Sequence, residues 1–169
     1  MEPYGTHIPV LEELIKSCNI KTVFEFGSGL ASTPLFVKNC ESVHAVEMQS
    51  EEWFTKVADE LKKYENLDYE KIMGADRAID EFSKIDKKYD LVFVDGHGST
   101  RWKCINEAFS KTKLIVTHDT ETPSYNWHKV VVPKGWSYHV YQKLRPWTTI
   151  YYLDGSLDVE NSIKNLENK

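Results

Sequence analysis

The sequence predicts a three-layer α/β domain: a doubly wound, mostly parallel sheet of about seven strands that closes with a C-terminal antiparallel hairpin. Three observations carry this reading. Short runs of β-branched and aromatic residues alternate with stretches of helical spacing from residue 22 to residue 119, a pattern that calls for parallel strands joined by right-handed crossovers. Two aromatic, β-branched runs, Tyr138 to Leu144 and Thr148 to Leu153, are separated only by Arg145, Pro146 and Trp147, close enough to pair as a hairpin. The first strand-to-helix step, Thr22 to Thr33 (TVFEFGSGLAST), places an acidic residue inside a buried-type run and ends it with two glycines flanking a serine.

Each element follows in chain order. Ile8, Leu11, Leu14 and Ile15 fall at helical spacing, with Pro9 tolerated in the first turn, and predict a lead-in helix lying over the sheet. Val23, Phe24 and Phe26 form the first strand, which Gly27 ends. Thr33 is expected to cap the next helix, with Pro34 at its first position, where the missing N–H is not needed. Ser42 to Glu47 is the second strand and finishes on a carboxylate. Ser50 opens a capping signature (SEEW) followed by Phe54, Val57, Ala58 and Leu61 on one helical face. Leu67 to Ile72 is the third strand, Met73 to Asp76 a turn, and Ala78, Ile79, Phe82 and Ile85 the apolar stripe of a further helix. Asp90 to Asp95 (DLVFVD) is the strongest strand and runs into a Gly96-His97-Gly98-Ser99 loop. Arg101 to Phe109 reads as a helix burying Trp102, Ile105, Ala108 and Phe109. The fifth strand, Leu114 to Thr117, ends at His118 and Asp119. Thr120 to Trp136, rich in Pro, Gly, Trp and Tyr, reads as an irregular cover over the strand ends. One domain is assigned to residues 1–154, and residues 155–169 to a polar C-terminal tail, either a loose last helix or disordered.

Bulk properties narrow the function classes. A chain of 169 residues suits one domain with a single sizeable core. A net charge of −5 disfavours non-specific nucleic-acid and anionic-membrane binding. Cys18, Cys40 and Cys104 are odd in number and widely spaced, as expected of free thiols in a reducing compartment. The sequence shows neither a basic start followed by an apolar stretch nor a window of membrane-span length, so a soluble, cytoplasmic protein is expected.

A doubly wound sheet places its ligand outside the carboxyl ends of the strands. There the sequence puts the Gly27-Ser28-Gly29 turn, Glu47 about twenty residues later, and Asp95. Glycines let the backbone pass close to a ligand, and the free N–H groups of the turn and helix start point into the same space. A carboxylate ending strand two is placed to accept hydrogen bonds from both hydroxyls of a ribose, which points to an adenosine-containing cofactor. Ser32 stands where a dinucleotide fingerprint has its third glycine, and this disfavours a pyrophosphate.

The run Glu25-Phe26-Gly27-Ser28-Gly29 resembles the first motif of the class I S-adenosylmethionine-dependent methyltransferases. The resemblance continues through Glu47, Ala75-Asp76 and the Asp90 to Asp95 run, covering roughly Val23 to Asp119, and the final hairpin is similar to the strand pair that completes this family's seven-stranded sheet. It implies the Rossmann-like methyltransferase fold and S-adenosylmethionine as cofactor. It places Gly27, Ser28 and Gly29 against the methionine part, Glu47 on the ribose, and Ala75 or Asp76 beside the adenine. Met48 and Trp53 are candidates to line the adenine, although a helix tryptophan is more often core. Glu25 would order the turn and favour the cofactor's positive charge, and Asp95 completes the cofactor set.

The segment VFVDGHGSTR followed by LIVTHD resembles the small O-methyltransferases that act on hydroxyls of sugars and other small molecules, implying methyl transfer to an oxygen of a small molecule or glycan. Such a transfer must hold the nucleophile in line and remove its proton. His118, oriented by a neighbouring carboxylate, is the expected base, and His97 is the second candidate. Asp95 and Asp119 end adjacent strands and should lie close together, which requires a cation or a shared proton between them. Arg101 is a candidate for an acidic group on the acceptor. In the catechol-type branch of the family a divalent metal joins two carboxylates and an asparagine. Here Thr120 replaces the asparagine, so a metal-free route through His118 and Asp119 is placed ahead of a metal. The Asn-Pro-Pro-Tyr and Pro-Cys signatures of base methylation, the G-x-S-x-G elbow and the phosphate loop are all absent from the sequence. Two readings from other classes stay open: a nicotinamide-dependent oxidoreductase, and a catalytically silent methyltransferase-like subunit that binds a partner.

Overall fold

The computed structural model describes residues 5–169. Its sheet has seven strands in the order β3-β2-β1-β4-β5-β7-β6. β1 (Thr22–Phe26), β2 (Ser42–Glu47), β3 (Leu67–Lys71), β4 (Leu91–Val94) and β5 (Leu114–His118) run parallel, while β7 (Thr148–Leu153) joins β5 antiparallel and pairs outward with β6 (Trp136–Tyr141). β1 and β4 are buried at almost every position because helices cover both of their faces. At the edge, β3 alternates and is largely exposed.

Alternation along the strands divides the core in two. Val23, Val43, Leu91, Phe93 and Val116 meet α1 (Ile8–Ser17), α2 (Ser32–Asn39), α3 (Glu51–Leu61) and α6 (Leu157–Asn168) on one face. Phe24, Phe26, Val46, Val92, Val94 and Ile115 meet α4 (Ala75–Lys84) and α5 (Arg101–Ala108) on the other. The three layers expected from the sequence are therefore present. Phe26 pairs with both Val46 and Val94, and Val94 with Thr117. This register brings the residues that follow each strand, Gly27, Glu47, Asp95 and His118, to one level at the carboxyl edge.

Several local expectations are corrected. Thr33 does not cap α2: the helix starts at Ser32, behind Ala31, with no side-chain cap, because the Thr33 hydroxyl is turned onto Glu25. Ala75 and Asp76 open α4 rather than completing a turn, after Gly74 at φ 92°. On α5 the inward residues are Arg101, Cys104, Ile105 and Ala108, while Trp102 lies partly exposed under Lys103 and Lys129. β6 begins and ends earlier than its aromatic run suggested. The stretch 155–169, expected as a loose or disordered tail, contains α6, which buries Val159, Ser162 and Leu166. Its Asn165 and Lys169 donate to the Glu13 carboxylate of α1. Cys18, Cys40 and Cys104 are all free. Among the described residues no helix is long and apolar enough to cross a membrane.

Candidate functional site

Two constellations meet at the carboxyl edge. The first is built by the turn after β1. Gly27 has φ +86°, and a Cβ there would lie 2.4 Å from the Gly96 Cα, so the turns after β1 and β4 touch backbone to backbone. Glu25 is completely buried beneath the turn, taking the Ser32 hydroxyl at 2.5 Å and the Thr33 hydroxyl at 2.7 Å. Thr33 in turn accepts from the Gly29 N–H at 2.9 Å. The acidic residue of the motif thus ties the strand to the helix start and fixes the glycine turn between them. Burial pushes the Glu25 carboxyl up to about 8, even against the two hydroxyl donors that favour its charge.

Glu47 is buried at the tip of β2. Its Oε1 accepts from the backbone N–H groups of Gln49 at 2.7 Å and Ser50 at 3.1 Å, and its Oε2 accepts from the Ser28 hydroxyl at 3.1 Å. Tyr69 lies 2.6 Å from that same hydroxyl. One carboxylate oxygen is therefore locked by backbone, whereas the other meets a side-chain hydroxyl that can turn aside. Trp53 donates its indole N–H to the Ser28 carbonyl at 2.9 Å, which places it on the wall of the site rather than in the core.

The second constellation centres on Arg101, which is 5 % exposed. Its Nε donates to the Gly96 carbonyl at 2.8 Å and its Nη1 to the His118 carbonyl at 2.6 Å. Nη1 also pairs with Asp119 at 3.0 Å, and Nη2 pairs with Asp95 at 2.9 Å and reaches the Asp95 carbonyl at 3.3 Å. Three carbonyls thus accept from the guanidinium and two carboxylates pair with it. The Tyr125 ring lies over it, 4.9 Å from its carbon, and fits because residue 98 is a glycine: a Cβ there would meet that ring at 2.2 Å. The cation required between the two carboxylates is Arg101.

His118 faces the same carboxylates, its Nδ1 3.6 Å from Asp95 and 3.5 Å from Asp119. Its Nε2 lies 2.9 Å from the Thr6 hydroxyl, which donates to the Pro146 carbonyl at 2.9 Å. A hydroxyl that donates to Pro146 must accept from His118, so Nε2 carries a proton. Burial raises the Asp95 carboxyl, but His118, Arg101 and His7 outweigh it and hold the group below the usual aspartate range. His7, just ahead of α1, stands edge-on to His118 with ring centroids 4.5 Å apart, and neither of its ring nitrogens has a partner among the described residues. Burial pushes it down to about 4, so it is neutral at physiological pH.

A cavity of about 740 Å³ joins the two constellations, lined by Ser28, Gly29 and Trp53 on one side and by His7, Asp95 and His118 on the other. Arg101 and Asp119 also reach it. Not every residue singled out from the sequence does: Glu25, Gly27 and Glu47 are not among its lining residues. His97 is exposed and bonded to Ser99. Met48 is packed on Gly96 in the core, Ala75 rests against that core, and the exposed Asp76 pairs with Lys103 at 2.6 Å. Thr6 and His7 were missed, since a Thr-His pair before a helix proline carries no chemical signature until the fold brings it beside residue 118. Ser32 and Thr33 were read for their spacing and not as partners of Glu25.

The divalent ion of the catechol-type branch does not fit here. His7, Asp95 and His118 each bring a ligand-type atom within 4.8 Å of one another, but Asp95 and Asp119 already share a buried guanidinium, and an ion between them would stand against that fixed positive charge.

No family model and no curated protein matches the chain in sequence. Solved structures do match it in shape. An O-methyltransferase from Bacillus cereus in complex with SAH aligns with a TM-score of 0.71 at 12% identity, covering 91% of this chain and 82% of that one. The O-methyltransferase TomG from Streptomyces achromogenes, involved in tomaymycin synthesis and in complex with SAM, aligns with a TM-score of 0.68 at 15% identity, covering 92% and 81%. The fold is the Rossmann-like methyltransferase fold. An rRNA methylase from Streptococcus thermophilus has it too, with a TM-score of 0.62 at 14% identity over 90% of this chain and 98% of that one. The methyltransferase fold alone therefore leaves the acceptor to be argued from the site.

Proposed function

We propose that the chain is an S-adenosylmethionine-dependent methyltransferase acting on an oxygen of a small molecule or glycan. The observation that carries this reading is the cavity of about 740 Å³ shared by Ser28 and Gly29 of the glycine turn and the Asp95–Arg101–Asp119–His118 cluster. Its size is in the range of sites that enclose small ligands. The cofactor supplies an electrophilic methyl group on a sulfonium. Ser28 and Gly29 would hold its methionine part and Glu47 its ribose, through the carboxylate oxygen now covered by the Ser28 hydroxyl. Met48, Ala75 and Asp76 remain the candidates for the adenine side. Glu25, raised to about 8 by burial, orders the turn from beneath rather than countering the cofactor's charge.

On the acceptor side, His118 takes the hydroxyl proton at Nδ1, where Asp95 and Asp119 stabilise the charge it gains. Arg101 keeps both carboxylates aimed at that nitrogen and keeps them from repelling each other. The negative net charge supports a small, non-nucleic-acid acceptor, and three free cysteines support a reducing, cytoplasmic setting.

Calorimetric titration with S-adenosylhomocysteine tests the cofactor reading. Binding is expected, with none for NAD, and Glu47→Ala should weaken it by about 1.5–3 kcal/mol, the worth of hydrogen bonds to a charged group. Affinity unchanged in that variant would move the ribose elsewhere. No binding at all would leave the silent, partner-binding subunit as the better reading.

A further inference from the structure

A second cavity, of about 300 Å³, lies beside the first and belongs to neither constellation. One wall is the hairpin. The period of two puts Tyr138 and Val140 of β6 on the same face as Thr149 and Tyr151 of β7, and the register pairs Tyr138 with Tyr151 and Val140 with Thr149. The opposite wall is the irregular cover, which contributes Trp127, Val130 and Val132. Thr120 and Trp147 close the end nearest the catalytic cluster, joined by a backbone hydrogen bond of 3.2 Å. Thr120 directly follows Asp119, and Trp147 directly follows Pro146, which lines the first cavity. Thr149 and Tyr151 pair with Thr117 and Ile115 and His118 with Thr148, so this cavity lies on the face of the sheet opposite the His118 side chain.

The chemistry of this lining is specific. No charged side chain contributes to it. Four aromatic side chains do, and two buried polar atoms, the Trp127 indole N–H and the Thr120 hydroxyl, have no partner. An orphaned buried donor costs free energy unless a ligand or water pairs with it. Burial pushes the Tyr151 hydroxyl up to about 12, so it also stays an uncharged donor. Aromatic faces flanked by neutral donors, with no charge to attract an ion, suit a ring that is apolar on its C–H face and carries hydroxyls around its edge. A planar aromatic hydrocarbon would stack equally well but would leave the two orphaned atoms unpaired.

We propose that this cavity is a binding subsite for one neutral sugar ring, holding it by stacking on the aromatic wall and by hydrogen bonds to Trp127 and Thr120. The assignment goes beyond the methyl-transfer reading and does not rest on it. Ligand-observed saturation-transfer NMR with methyl glucoside, methyl mannoside and methyl galactoside, each with and without S-adenosylhomocysteine, tests it, with catechol and methyl glucuronide as comparison probes. At least one neutral hexoside is expected to receive saturation. Its affinity should fall about fivefold in Trp127→Phe and by a similar factor in Thr120→Val, each the loss of one neutral hydrogen bond, while S-adenosylhomocysteine affinity is unchanged in both variants. No transfer to any hexoside, transfer to catechol or the glucuronide alone, or hexoside binding that is equal in both variants would overturn the subsite. Hexoside binding without S-adenosylhomocysteine binding would keep the subsite and remove the methyl-transfer reading, so the two fail separately.

Discussion

The two sides of the main cavity are built in opposite ways. The cofactor side is nearly continuous in sequence: Glu25 to Thr33 supplies the turn, the carboxyl beneath it and both hydroxyls that hold that carboxyl, and Glu47 adds one distant group. The acceptor side draws on residues 6, 7, 95, 101, 118, 119 and 146, which meet only when four separate segments are in place. A contiguous motif holds its geometry through a few local bonds. A dispersed cluster needs one residue that touches most of its parts, and here that residue is Arg101.

Breaking each side should therefore give different losses. Arg101→Lys leaves a cation but removes the fork that serves two carboxylates and three carbonyls. Because Asp95 and Asp119 keep some contact with water, a stability loss of about 3 kcal/mol is expected, the low end for a broken buried ion pair. Urea denaturation checks this, and a loss below about 1 kcal/mol, the size of a surface pair, would show that the cluster is held by other means.

Gly27→Ala should cost slightly less overall, about 2 to 3 kcal/mol from its positive φ and the collision with Gly96. Its effect should concentrate on the cofactor side: S-adenosylhomocysteine binding should be lost from protein that still melts cooperatively. Retained binding would mean that the two touching turns can separate without harm to the cradle.

The third contrast is in pH. Glu25 has its folded value raised to about 8, so its contribution to stability is complete below its ordinary value of 4.5 and is lost as pH rises through 8. Stability of the wild type should fall by a few kcal/mol between pH 5 and pH 9 from this group, and Glu25→Gln should flatten that limb. His7 has its folded value lowered to about 4 from 6.5, so its contribution is present above 6.5 and is lost as pH falls through 4. His7→Phe should remove about 2 to 3 kcal/mol of the acid-side loss. Thermal melts across this range separate the two, since one variant moves only the alkaline limb and the other only the acid limb.

The same contrast explains what could be read from the sequence. The order of strands and helices, the parallel sheet and the hairpin were legible because hydrophobic period and glycine turns are local signals, and Gly27, Glu25 and Glu47 lie at spacings set by one strand-turn-helix unit. Asp95, His118 and Asp119 were legible as strand ends. What joins them was not: Arg101 reads as an ordinary first residue of a helix, and its burial depends on two loops more than fifteen residues apart in sequence, at Asp95 and Asp119. Helix α6 was misjudged because Val159, Ser162 and Leu166 bury a narrow stripe on an otherwise polar segment, and only the exposed face of α1 shows what that stripe packs against.

That contact between α1 and α6 has a consequence for motion. His7 and Thr6 enter the cavity from the start of α1, and α1 is clasped along its outer side by α6 through Glu13, Asn165 and Lys169. The glycine turn hangs instead on β1, which has paired strands on both sides. The two walls of one cavity therefore hang on different parts of the fold, and hydrogen exchange is expected to reach the amides of α1 and α6 before those of β1.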